Sequence, residues 1–198
     1  MTSAATPKGL RRRSRLIEAA GALLLEGGFD AVRHRAVAER AQLPLASTTY
    51  YFGSLEDLMA EAAACVYRND EDCIAARRDA LPRRRRGGSA TADALAEVFV
   101  GPDTTIQTLA ARYETIALAA RHPRLRDVVI DRRVLLSEMH SEVLHKSFRK
   151  ADPVHVGQLI ALEDGAVVGA LGMRQGTPYA AARDALHEVI DVLAPRDG

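Results

Sequence analysis

The chain of 198 residues has no tryptophan, four phenylalanines and five tyrosines, so aromatic rings can anchor only a few points of its core. It has two cysteines, Cys65 and Cys73, eight positions apart on one helix-like stretch. They lie too far apart along a helix axis to pair with each other, and the simplest reading is a reducing, cytoplasmic location. There is no CxxC and the six histidines are scattered, so no metal is expected. No apolar run approaches the roughly 20 residues of a membrane helix. Met1 to Arg13 carries charge without the apolar centre of a secretory signal, and no membrane partner is expected. Catalytic signatures are missing as well: no G-x-S-x-G, no phosphate-cradling glycine loop, no nucleophile beside an evident base. Glu163 and Asp164 are adjacent carboxylates, but neighbours on a helix point about 100° apart and do not share a site. The expectation is a chain with no catalytic residue and no cofactor.

Strand patterns are equally scarce. No stretch of four or more residues alternates in the strand manner with turn residues on both sides, while Ala, Leu, Arg and Glu, all strong helix formers, dominate. The eight prolines sit between stretches of helical periodicity, where proline starts or stops a helix without costing an interior hydrogen bond. The fold class is therefore all-α, with about nine helices: Pro7–Glu26, Arg33–Ala41, Pro44–Tyr51, Ser54–Ala80, Ser89–Val100, Asp103–Arg121, Arg124–Lys150, Val154–Leu171 and Thr177–Leu193. The first should stop at Gly27-Gly28. Ser54, with Asp57 three residues on, reads as the N-cap of the fourth. Leu81–Ser89, with four consecutive arginines and Gly87-Gly88, reads as an exposed, solvated loop.

A net charge of +1 hides an asymmetry. Residues 1–55 hold eight Lys/Arg (Lys8, Arg11, Arg12, Arg13, Arg15, Arg33, Arg35, Arg40) against four acids (Glu18, Glu26, Asp30, Glu39). The rest holds 19 basic and 22 acidic groups. A basic head on a mildly acidic body suits a polyanion-binding module joined to something else, or a chance clustering on a solvated face.

The segment FDAVRHRAVAERAQLPLASTTYYFGSLEDL, Phe29 to Leu58, decides between them. Two short helices joined by about three residues have the geometry that lays the second in a DNA major groove. Val37, Ala38 and Ala41 give the first an inner face, Leu43 anchors the turn, and Phe29 and Phe52 plug the core. The second, PLASTTYY, offers hydroxyls and aromatics for phosphates, base edges and thymine methyls.

Over roughly residues 9–60 the sequence resembles the tetracycline-repressor (TetR) family of one-component bacterial regulators. The resemblance rests on the long first helix ending in GGF, on AVAERAQL, on STTYYF and on SLEDLM, in that order. It implies an N-terminal DNA-binding domain, residues 1–54, and a C-terminal domain, residues 55–198, for ligand sensing and dimerisation. It assigns Arg35 to a base or phosphate, with Arg33 and His34 at the helix N-terminus near phosphate. Leu45, Ala46, Ser47 and Thr49 match groove-facing positions, Tyr50 and Tyr51 match phosphate contacts, and Thr48 takes a core position. The departures are Gln42, where the family commonly has Gly, Thr49 in place of an aromatic, and Leu55 in place of a lysine. Arg11–Arg13 and Arg15 could make up some of the missing phosphate affinity.

Beyond the head, Gly165, Gly169 and Gly172 fall on one helical face, which suits close approach of another helix. Ala182, Leu186, Val189, Ile190 and Leu193 form an apolar stripe. The expectation is a homodimer through Val154–Leu171 and Thr177–Leu193, in a four-helix interface, the alternative being that both stripes pack within one chain. Tyr67, Phe99, Arg112, Tyr113, Glu114 and Met139 have the mixed character of pocket residues, but each reads more simply as core or surface, and the ligand-binding residues stay unknown. The expected partners are double-stranded operator DNA and a small-molecule effector of unread class. The expected function is a repressor released from a palindromic operator, the alternative an effector-independent or architectural DNA-binding protein.

Overall fold

The computed structural model describes residues 6–173 and 176–197; Met1–Ala5 of the N-terminal segment lie outside them. Among the described residues are nine helices: α1 Pro7–Ala31, α2 His34–Arg40, α3 Leu45–Tyr51, α4 Leu55–Ala80, α5 Gly88–Phe99, α6 Ile106–Ala119, α7 Pro123–Lys146, α8 Pro153–Leu171 and α9 Pro178–Leu193. There is no strand among them, only an isolated antiparallel bridge between Arg149 and Arg196. The all-α class follows. Proline opens α1, α8 and α9 in the first turn, and Thr6, Asp152 and Thr177 cap them with side-chain oxygens.

Two boundaries differ from the sequence reading by more than three residues. Helical structure resumes after Gly27-Gly28 and runs to Ala31, although the two glycines are themselves non-helical, with Gly28 at φ 65°. The expected stop is thus a kink, and one more turn carries Phe29 into the core. At the other end of the chain, α7 stops at Lys146, where Phe148 takes a left-handed φ of 56° and turns the backbone away.

The chain forms two compact units. One takes the chain up to Asn69 together with Gln107–Ile130; the other takes Asp70–Ile106 and Asp131 onward. In the first, Leu16, Ala20 and Leu24 of α1 pack with Val37, Phe52, Leu58 and Leu125. In the second, Ile74, Leu95 and Phe99 pack with Val143, Leu159, Leu186 and Ile190. Burial of such side chains contributes roughly 1.5–3 kcal/mol each.

One helix departs from the expected lack of apolar length. By length and composition α8, with mean hydropathy 1.3, is apolar enough to cross a membrane. Its two acids, Glu163 and Asp164, interrupt the run at mid-length, while Val156, Leu159, Ile160 and Val167 are buried within the second unit. A helix apolar both on its buried face and over much of its outer one, where Val154, Leu162 and Val168 are exposed, accounts for that length.

Candidate nucleic-acid interface

The first unit is built to hold α2 and α3 at a set angle. Arg33 is the N-cap of α2, and its guanidinium donates to the carbonyls of Phe29 and Val32 and to Asp30. Arg40 at the far end donates to both carboxylate oxygens of Glu26, at 2.8 and 2.5 Å, and this bond holds the Glu26 carboxyl below the usual carboxylate range. Gln42 makes the corner with a left-handed φ of 52°, the conformation glycine adopts without steric cost. Pro44 then precedes α3 in an extended conformation.

The kink that feeds α2 depends on a residue from elsewhere in the same unit. Glu114 of α6 accepts the Phe29 N–H at 3.2 Å, and a Cβ on Gly28 would stand 2.9 Å from its carboxylate. Only glycine fits under that carboxylate. Glu114, a pocket candidate by sequence, thus serves to hold the GGF turn; the paired glycines were the one signal that something passes close by. The other pocket candidates resolve similarly. Tyr67 donates its hydroxyl to the Arg112 carbonyl at 2.9 Å, Phe99 stacks on His140, and Met139 lies in the core.

Helix α3 has a sharp division of faces. Thr48 is fully buried and returns its hydroxyl to the Leu45 carbonyl at 2.8 Å, as its core position requires. Leu45, Ala46, Thr49 and Tyr50 are exposed, Tyr50 to 80%, and Ser47 is half-buried. Tyr51 is half-buried, with its ring edge-on to Tyr50 at 4.9 Å and its hydroxyl above Gly9 of α1. The two tyrosines therefore divide the roles, one packed against α1 and one projecting into solvent. On α2, Arg35 is exposed, and His34 is half-buried with its Nδ1 left without a hydrogen-bond partner.

The α1 arginines also divide. Arg13 pairs with Glu61 and lies over the Phe52 ring at 5.7 Å, and Arg15 donates to the Ala41 carbonyl at 2.6 Å. Arg11 and Arg12 are exposed. Ser54 caps α4 as expected, accepting from the Asp57 N–H at 3.0 Å while donating to its carboxylate at 2.9 Å. Among the described residues no group of three His, Cys, Asp or Glu comes together in a way that could hold a metal ion.

A tight bihelical corner whose second helix keeps one face open defines a helix-turn-helix within an all-helical chain. Comparison with known proteins narrows the class. The family profile described as "Bacterial regulatory proteins, tetR family" matches residues 16–62, and that described as "Tetracyclin repressor-like, C-terminal domain" matches residues 86–192. The chain belongs to the TetR family, and is therefore a DNA-binding transcriptional regulator and not an enzyme. Its structure is similar to that of the multidrug binding protein EbrR in complex with ethidium (TM-score 0.70, 28% identity, 89% of this chain and 97% of that one). It is similar also to EbrR with proflavin (TM-score 0.70, 26% identity, 89% and 98%). A third likeness is to a member of the TetR family, SCO1917 from Streptomyces coelicolor A3 (TM-score 0.68, 28% identity, 89% and 96%). A comparison with curated proteins finds no match.

Proposed function

We propose that the protein is a dimeric, ligand-released repressor of a palindromic operator, acting in the cytoplasm, with residues 1–54 as the DNA-binding domain and residues 55–198 sensing the effector and dimerising. The observation that carries this reading is the division of α3, where Thr48 is buried while Leu45, Ala46, Thr49 and Tyr50 are exposed. A helix held by one face with the other unengaged can enter a major groove. In that groove Leu45, Ala46, Ser47 and Thr49 read base edges and methyls, and Tyr50 contacts phosphate. Arg35, His34 and the α2 N-terminus flank them, with Tyr51 and Arg33 as supports that also reach the backbone.

The dimer reading rests on the outer faces of α8 and α9. Gly157, Gly165 and Gly169 have nothing within 4 Å of a built Cβ, so no helix of the same chain approaches them. Val154, Leu162, Val168 and Val192 are exposed. A groove of about 490 Å³ runs between the two helices, lined by Ala161, Leu162, Val189 and Val192 among others. The stripe on α9 divides: Ala182, Leu186 and Ile190 serve the chain's own core, which leaves the Val189 and Val192 side for a second copy. Val192→Glu should shift the chain from dimer to monomer in sedimentation; an unchanged dimer would place the interface elsewhere.

An effector in the second unit would release DNA by favouring a dimer whose recognition helices no longer match one turn of the duplex. EbrR, the similar protein, is a multidrug binder crystallised with dyes, which supports small-molecule control of this chain. The test is selection of bound sequences from a random DNA pool at about physiological salt. A palindromic consensus is expected. Retention of every sequence alike would favour the architectural alternative.

A further inference from the structure

The four-arginine segment between α4 and α5 is an exposed loop, as expected, but a tied one in which Arg86, alone of the four arginines, is buried. Its backbone is tied along the end of α7, with Arg84 N–H donating to the Lys146 carbonyl at 2.9 Å and Arg86 N–H to the Ser147 carbonyl at 3.3 Å. Arg83 and Arg85 lie over the Phe148 ring at 4.9 and 5.3 Å. Alternate arginines thus clamp one ring, and Arg84 and Arg86 border the other side. There, among the end of α4, this strap and α5, lies a cavity of about 340 Å³, within the range of small-molecule sites.

Its charge is unusual. Arg86 is 5% exposed, and its guanidinium donates only to neutral oxygens: the carbonyls of Pro82, Arg84 and Lys146 and the hydroxyl of Ser147. Among the described residues no ion pair to Arg86 forms, and the carboxylate whose charge acts on it is that of Glu97. Burial, and then the charge of Arg84, pull its pKa below the ordinary arginine value. Arg77 and Arg84 join it on the lining, against Asp93 and Glu97 of α5. Asp93 is already hydrogen-bonded to His187 at 3.0 Å, and Glu97 is exposed. Three guanidiniums thus stand against two carboxylates on the lining, Arg86 being the buried one, beside the apolar Leu81, Ala94 and Val98.

We propose that this cavity binds a small organic monoanion, a carboxylate on an apolar skeleton, whose charge is held by Arg84 and Arg86 and whose carbons lie against Leu81, Ala94 and Val98. A buried guanidinium satisfied by carbonyls keeps its formal charge, and a carboxylate supplies the missing counter-charge in the planar geometry that arginine favours. Arg86 is held rigid by its four acceptors, so little ordering is lost on binding. Arg84 is exposed and closes from the solvent side. The neighbouring Glu97 sets the sign of one effect: it opposes the ligand. The inference gives an effector class to the sensing unit and rests on the repressor reading only for that role, since binding is read without DNA.

The experiment is calorimetry on the full chain at constant ionic strength with three probes of similar size: benzoate, its neutral isostere benzamide and cationic benzylamine. Saturable binding of benzoate is expected, at least about tenfold tighter than benzamide, with no binding of benzylamine. Arg84→Gln should weaken benzoate severalfold, and Glu97→Gln should tighten it. Both residues are exposed, so thermal midpoints without ligand should stay near wild type and verify folding. Equal binding of benzoate and benzamide overturns the proposal, as does binding of benzylamine alone, no saturable heat from benzoate at millimolar concentration, or benzoate affinity indifferent to both variants. Failure here leaves the operator selected from the DNA pool intact, and failure of that selection leaves the calorimetry intact.

Discussion

The two units differ in how much charge they bury. In the first, the core around Leu16, Leu24, Phe52 and Leu58 is apolar, Arg112 is buried, and Arg11, Arg12 and Arg35 are left at the surface. The second buries more. Arg132 is 4% exposed at its side chain and bonds Asp70 (3% exposed) and Glu71. Arg149 donates to Asp191 and to the Ala194 carbonyl, both at 2.7 Å. His140 and Glu163 face each other at 3.7 Å beneath the Phe99 ring. Surface charge is available to a partner such as DNA phosphate, whereas buried charge is committed to specific neighbours and resists any helix shift that would strand it.

The His140 pair shows how tight that commitment is. Its Nδ1 bonds the Leu136 carbonyl at 2.7 Å, and a carbonyl can only accept, so Nδ1 carries the proton. The remaining nitrogen, Nε2, stands 3.7 Å from a Glu163 carboxylate oxygen, beyond hydrogen-bond distance.

The sharpest way to break the comparison is to remove one charge from each unit. Arg132→Ala should cost about 3–5 kcal/mol by stranding Asp70 in the interior, while Arg35→Ala, at an exposed site, should change stability by less than about 0.5 kcal/mol. Denaturant titration reads both. Equal losses would mean that the Arg132 site is as well hydrated as Arg35. A double variant, Arg132→Met with Asp70→Leu, should recover most of the loss, since the cost lies in the unpaired partner.

A smaller effect sharpens the account of the reading face. Gln42→Gly relieves a left-handed φ of 52° at the corner before α3 and should stabilise by up to about 1 kcal/mol. A lower thermal midpoint would show that the glutamine earns its strain through its side chain. The least effect concerns the cap of α8. Asp152 accepts the His155 N–H at 2.9 Å, which holds its carboxyl below the usual value. A depressed folded pKa means that the stabilisation is complete above the unfolded value, about 3.9, and fades as pH falls through the lower folded one. The gap in thermal midpoint between wild type and Asp152→Ala should stay level near neutral pH and close in acid. A gap that widens in acid contradicts the cap's role.

The first unit was readable because its signals are local. Pro44 starts α3, Ser54 and Asp57 cap α4, and alternating faces on α2 and α3 follow from a 3.6-residue period. Long-range partners were not readable. Nothing in the sequence says that Glu114 lies over Gly28, or that Arg86 is buried while Arg84, two residues away, is exposed. Four arginines in a row suggest hydration, because two of the acceptors that bury one of them, the Lys146 carbonyl and the Ser147 hydroxyl, come from residues some sixty positions on. Glu163 and Asp164 diverge as helical neighbours must: one faces His140 in the interior, and the other bonds Arg133 at 3.0 Å. The apolar stripe on α9 left its partner open for a related reason, since periodicity says that a face is buried but not against what.

The most direct test of the central claim is fluorescence anisotropy on the selected palindrome, comparing wild type with Arg35→Ala and Tyr50→Ala and with a scrambled duplex. If the open face of α3 and the start of α2 read the operator, wild type prefers the palindrome and each variant loses about tenfold affinity for it, a difference of about 1.4 kcal/mol. Wild-type affinity in both variants would contradict the assignment and move DNA recognition away from this face.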